Sequence, residues 1–305
     1  MIVVGGEALV DLVPGESTVD SGLTSLVPRL GGGPFTVALT AGRLGAATAF
    51  LSRLSRDRFG QAMRHRLAAS GVDMSMIESG DEPTTLAVVG LDERGAASYT
   101  FYTEGTADRL VADPGPLPGA ASILCVGTLG LVLEPGASTY ETVLRREAAR
   151  GVLTALDPNI RAALIPDADA YRRRFTSWLP DVRLLKLSDD DAAWLAGGDP
   201  VAAAKGWLAA GVDAVVLTRG AEGLAVHTRK DDIFVPSAPA HVVDTIGAGD
   251  TVQGALLAWL RQHDVRMITE LNAAEWREVL TYAAKAAAIT VSRSGAEPPT
   301  ATEMM

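Results

Sequence analysis

Apolar runs of strand length alternate with helical stretches over most of this chain, and that alternation constrains the fold more than anything else in the sequence. The runs lie at residues 2–4, 121–126, 152–156, 182–187 and 214–218. A run apolar at every position, rather than every second one, suits a strand buried on both faces. Helical patterns fall between the runs: about 139 to 150, 200 to 211, 249 to 262 and 274 to 292. Gly151 follows the first of these as a C-cap glycine. The pattern predicts an α/β fold with a doubly wound, mostly parallel sheet covered by helices on both faces.

Two segments break the alternation. Residues 10–30 are strand-like and rich in turn residues. Residues 84–109 read as two strands, 84–91 and 97–103, joined by the turn-like D-E-R-G at 92–95. Together they predict a small β-sheet lid, built from about 10–30 and 84–111. Pro114, Pro116 and Pro118 punctuate the way back to the core. The lid is expected as an insertion into a single domain spanning 1–305, a length that supports one large α/β domain with an elaboration. Its open strand edges offer a route to a homodimer.

The chain carries a net charge of -10 and no Lys/Arg run that resembles a nucleic-acid footprint, which argues against nucleic acid as a partner. No apolar stretch reaches the ~18 residues of a membrane span, so no membrane partner is expected. The N-terminus lacks a basic region and a small-residue cleavage site, so a cytoplasmic protein is expected. Cys125, in an apolar run, reads as a buried thiol. The histidines, at 65, 227, 241 and 263, form no metal-ligand spacing. G-x-x-x-x-G-K-[ST], G-x-S-x-G and G-x-G-x-x-G are all absent, which removes the P-loop way of binding ATP and disfavours a nucleotide-binding dehydrogenase.

The segment D-T-I-G-A-G-D at 244–250 leads into a long apolar helix. Gly247 and Gly249 allow a tight turn with unshielded amides. A helix N-terminus after such a turn makes an anion hole suited to a phosphoryl group in transfer. Asp250, at its mouth, can take a proton from an attacking hydroxyl. The same residues also fit a plain turn with Asp250 capping the helix. The second carboxylate, Asp244, and the motifs elsewhere favour the anion hole.

On this segment the chain resembles the ribokinase-like (PfkB-type) carbohydrate kinases, whose C-terminal signature is D-T-x-G-A-G-D. The resemblance implies a sugar kinase in which Asp250 is the catalytic base and Gly247, Ala248 and Gly249 form the anion hole. ATP and magnesium are the implied cofactors, with potassium a further possibility. The resemblance runs from residue 5 to about 299, with the motifs in family order.

The family's N-terminal diglycine matches Gly31, Gly32 and Gly33 before a helix, and Thr36 stands where an asparagine usually contacts the sugar. Asp11 is the implied grip on substrate hydroxyls. D-P-N-I-R at 157–161 is similar to the D-P-N-x-R of fructokinases and 2-keto-3-deoxygluconate kinases, and Arg161 can hold a carboxylate, hydroxyl or phosphate. Phe101, with Glu104 beside it, gives the lid an aromatic and an acid, which favours a neutral sugar.

On the nucleotide side, Ser188 and Asp191 occupy the places of the family's asparagine and glutamate, with Asp191 reaching magnesium through water. Ser188 also reads as a helix N-cap. Thr218, Gly220 and Gly223 match the nucleotide loop T-x-G-x-x-G. Ala283, Ala286 and Ala287 lie on a helix where small residues can admit an adenine ring or simply pack closely. The implied potassium positions are Asp244, Ile246, Thr290, Arg293 and Gly295, mostly through carbonyls. Fructose is the best-matched substrate; 2-keto-3-deoxygluconate, ribose or a nucleoside are alternatives. From another class comes a catalytically silent sugar- or nucleotide-sensing protein.

Overall fold

Ile2 and Val4 face one side of a sheet and Val3 the other, and all three are fully buried. This is why the strand runs are apolar at every position. The computed structural model describes residues 1–18, 24–91 and 97–305. The expected turn at 92–95 lies outside the described residues.

In chain order the elements are β1 (Ile2–Gly5), β2 (Leu9–Thr18), β3 (Thr24–Gly31), α1 (Gly33–Arg43), β4 (Thr48–Ser55), α2 (Arg58–Ala69), β5 (Val72–Asp73) and β6 (Ile77–Gly80). Then come β7 (Thr85–Leu91), β8 (Ala97–Tyr102), β9 (Ile123–Gly127), α3 (Gly136–Ala149), β10 (Leu153–Asp157), α4 (Ala168–Trp178), β11 (Leu184–Ser188), α5 (Asp189–Ala196) and α6 (Pro200–Ala209). The last are β12 (Ala214–Thr218), β13 (Gly223–Thr228), β14 (Asp232–Pro236), α7 (Ala248–Gln262) and α8 (Ala273–Val291).

The main sheet has the order β14-β13-β12-β11-β10-β9-β1-β4-β5, and β6 also pairs with β4. From β5 to β12 the neighbours are parallel; β13 and β14 are added antiparallel. One apolar cluster joins α1, α7 and α8 to Ile2, Cys125, Ala155 and Leu184 on one face. Another joins α3, α4 and α6 to Val3, Leu124, Leu156 and Leu185 on the opposite face. The expected α/β arrangement is thus present, and Cys125 is buried.

A second sheet of order β3-β2-β7-β8 is formed by the two segments that break the alternation. It rests on the core through a small cluster of Leu9, Ala87 and Leu129, with Phe101 and Leu133 against it. Residues 48–80 hold β4, α2, β5 and β6, which the apolar-run pattern does not single out, because β4 itself carries Ser52, Arg53 and Ser55. Among the described residues no helix is long and apolar enough to cross a membrane.

Candidate active site

Strands β1, β9, β10, β11 and β12 end at one edge of the main sheet, and the loops leaving them line a cleft of about 1310 Å³. Ligands of open α/β sheets bind at this edge. The second sheet closes one side through Asp11, Tyr99 and Phe101.

The glycine turn forms the deep end. Gly247 has φ 75, a left-handed conformation that favours glycine, and precedes α7 with no side-chain cap. A Cβ there would also lie 2.6 Å from the Cβ of Ala296. The amide of Thr251 makes the first helical bond, to Gly247 at 2.8 Å. The amides of Gly249 and Asp250 belong to the first turn, where no intrahelical acceptor exists for them. Ala248 donates weakly to Thr245 at 3.3 Å.

Asp250 is partly buried and does not fold back as a cap. Its Oδ1 accepts from Asn159 Nδ2 at 3.3 Å. The Cα of Gly33 faces the same carboxylate: a Cβ there would lie 2.6 Å from Thr128 Oγ1 and 3.2 Å from Asp250 Oδ1. A side chain at this position would crowd both groups. Burial raises the Asp250 carboxyl above its ordinary value, opposed by the charges of Lys186 and Arg161.

On the lid side of the cleft, Asp11 lies over Gly31. Burial pushes its carboxyl up to about 6; Arg161 opposes this and Asp250 adds to it. Arg161 Nη1 donates to Asn159 Oδ1 at 2.7 Å and to the carbonyl of Ile160 at 3.2 Å. Asn159 therefore joins Arg161 to Asp250, from a backbone φ of 38 that asparagine tolerates. Thr36 is buried, with its methyl toward Gly247. Phe101 stacks on Tyr99, ring centroids 6.0 Å apart.

On the opposite side, Ser188 Oγ accepts from the amide of Asp191 at 3.0 Å and caps α5. The Asp191 carboxylate accepts from Ser188 Oγ at 2.8 Å and from the amide of Ile160 at 3.0 Å. Thr218, Gly220 and Gly223 line the cleft beside them. Behind the glycine turn, Asp244 accepts from the amides of Ile246 at 3.0 Å and Gly295 at 2.8 Å, clasping two loops together. Thr290 Oγ1 is buried against Thr251, and Arg293 pairs with Glu303.

Residues 1–303 match the family described as "pfkB family carbohydrate kinase". The chain belongs to this family. It is 39% identical to a fructokinase of Rhizobium leguminosarum bv. trifolii over 268 residues, 87% of this chain and 81% of that one. It is 31% identical to a fructokinase-2 of Oryza sativa subsp. japonica, over 98% of this chain and 90% of that one. Its fold is similar to the crystal structure of fructokinase with bound ATP from Xylella fastidiosa, with TM-score 0.89, 26% identity, and coverage of 99% and 96% of the two chains.

Two expectations for this carbohydrate kinase need correction. Ala283 and Ala286 are fully buried in the core and do not line the cleft. The cleft wall from α8 is Ala284, Ala287, Ala288 and Val291, an i, i+3, i+4, i+7 stripe one position round the helix. Glu104 does not face the cleft: its side chain is 98% exposed and pairs with Arg109 at 3.2 Å. The acid on the lid side of the cleft is Asp11.

The sequence reading also left three groups of this kinase without a role. Lys186 Nζ lies 2.7 Å from Asp157 Oδ2 in a buried ion pair. Burial works to lower this ammonium, but Asp157 and Asp250 outweigh it and hold it above its ordinary value. Burial raises Asp157 to about 6, against the pull of Lys186. A Cβ added at Gly249 would lie 3.1 Å from the same Nζ, so the ammonium sits under the glycine turn. The second group is Asn159, and the third is Glu7, buried behind the diglycine. Spacing alone signals none of them, because each acquires its partner through the fold.

Proposed function

We propose that this carbohydrate kinase transfers the γ-phosphoryl group of ATP to a primary hydroxyl of fructose. One observation carries the reading: the Asp250 carboxylate faces the bare Cα of Gly33 and lies in the first turn of α7, which has no side-chain cap. A hydroxyl above Gly33 and a phosphate over the first-turn amides would meet at this carboxylate. The fructokinase names of its relatives and the ATP bound by its Xylella counterpart support the choice of substrates.

Asp250 accepts the hydroxyl proton as the sugar oxygen attacks the γ-phosphorus. The new P–O bond forms in line as the bond to the β-phosphate oxygen breaks and ADP leaves. Lys186 and the amides of Gly249 and Asp250 neutralise charge on the transferred group. Asp11 and Arg161 hold sugar hydroxyls. A sugar carboxylate would meet Asp11 and Asp250 there, which favours neutral fructose over 2-keto-3-deoxygluconate.

Magnesium fits the acidic edge of the cleft, where Asp191 keeps free lone pairs on both oxygens and would reach the ion through water. Bound there, it would supply further charge neutralisation on the phosphates. For potassium, Asp244 is committed to two backbone amides and Thr290 to Thr251, so carbonyls near Ile246, Arg293 and Gly295 would supply the oxygen ligands. The wall of Ala284, Ala287 and Ala288 would receive the adenine. We read the chain as one domain with its lid, working in the cytoplasm. A homodimer through the lid is part of the same reading, supported by exposed Leu26, Val27 and Tyr102.

The test is ATP consumption across fructose, 2-keto-3-deoxygluconate, ribose and nucleosides. Fructose should show the highest kcat/KM. A tenfold preference for another sugar would overturn the substrate, and no consumption with any of them would favour a silent sensor.

A further inference from the structure

Glu7 follows β1 and precedes the first lid strand, β2. It is only 3% exposed, yet it is held by backbone amides rather than by a cation. Its Oε1 accepts from the amide of Gly33 at 3.1 Å and its Oε2 from the amide of Gly130 at 3.0 Å. The turn that carries it is itself fixed, because Ser52 Oγ and Tyr140 OH donate to the carbonyl of Gly6 at 2.7 and 3.2 Å.

The bond to Gly33 has a specific consequence. Gly33 is the first residue of α1, whose N-cap Gly32 has no side chain and whose first turn holds no acid. Glu7 therefore supplies, from another element, the acceptor that this helix end lacks. The same Gly33 faces Asp250, Asn159 and Thr128. One carboxylate thus ties together the root of the lid, the glycine loop and the turn after β9.

We propose that Glu7 is a positioning residue: its carboxylate holds the backbone of Gly33 at the separation from Asp250 that the sugar hydroxyl needs. This rests on the reading that a sugar binds over the glycine loop. With one oxygen on the Gly33 amide and the other on that of Gly130, Glu7 acts through Gly33. Burial pushes its carboxyl up to about 8, with the two amide bonds pulling the other way.

The test compares wild type, Glu7→Gln and Glu7→Asp in steady-state kinetics with the sugar that wild type uses best. Glutamine keeps the shape but presents an amide N–H₂ to one of the two donors. Aspartate keeps the carboxyl but is too short to reach both, and it carries the test if the glutamine variant does not fold. Either change should raise KM for the sugar about tenfold and leave KM for ATP within about twofold. Glu147→Gln is the control: Glu147 is another fully buried carboxylate, accepting from the amide of Leu117 at 3.1 Å and paired with Arg150. It should lower Tm with both KM values unchanged. An unchanged sugar KM in folded Glu7 variants, or equal rises in both KM values, would overturn the proposal. Wild type inactive on every sugar would remove the substrate reading and this proposal with it.

Discussion

Lys186, within β11, and Asp157, at the end of the adjacent parallel strand β10, form an ion pair of 2.7 Å beneath the glycine turn. Removing one partner leaves a buried charge without compensation, which costs about 3–5 kcal/mol. Lys186→Met should therefore lower stability by that order and kcat by about 10²–10³-fold. The double variant Lys186→Met/Asp157→Asn should regain most of the stability and none of the kcat. Denaturant titration beside steady-state kinetics checks this, and recovery of kcat in the double variant would remove Lys186 from the chemistry.

The pH profile should show the base. Burial raises Asp250, and Lys186 and Arg161 pull it back. The acid limb of kcat/KM should therefore lie above the ordinary carboxylate range. Arg161→Gln removes one of the opposing charges, so it should move that limb to higher pH. Asp250→Asn should lose about 10²–10⁴-fold in kcat with sugar binding nearly unchanged, as read by calorimetry. A limb that stays put in Arg161→Gln would count against Asp250 as its origin.

Neighbouring alanines on α8 should behave differently. Ala287→Leu fills the cleft and should raise KM for ATP at least about tenfold with little change in Tm. Ala283→Leu overpacks the core and should cost about 1–3 kcal/mol with KM for ATP unchanged. Equal effects on ATP binding would show that the adenine lies elsewhere.

Stability should fall as the solution becomes alkaline. Glu7 is raised from 4.5 to about 8, and Asp11 and Asp157 from 3.8 to about 6. A carboxyl raised in the folded state binds its proton more tightly there than in the unfolded chain. Its favourable contribution is complete below the unfolded value and is lost as pH rises through the folded one. Between about pH 4.5 and 8 wild type should lose stability, and Glu7→Gln should lose less. Urea unfolding at several pH values across that range measures the difference; parallel curves would exclude Glu7 as a source of the loss.

The sequence by itself determined the features written in adjacent residues. Continuous apolar runs marked strands buried on both faces, and two interruptions marked the lid. D-T-I-G-A-G-D marked a glycine turn into a helix with a carboxylate in its first turn, because the positive φ of Gly247 favours glycine. The tertiary structure decided what depends on distant contacts. Asn159 meets Asp250 across 91 residues and Glu7 meets Gly130 across 123, so no local spacing records either pair. Lys186 finds Asp157 only because β10 and β11 pair in parallel. On α8 the sequence marked the helix and its small residues, but each residue turns the helix by about 100°. Packing on α7 and the sheet, not composition, placed Ala283 in the core and Ala284 and Ala287 at the cleft.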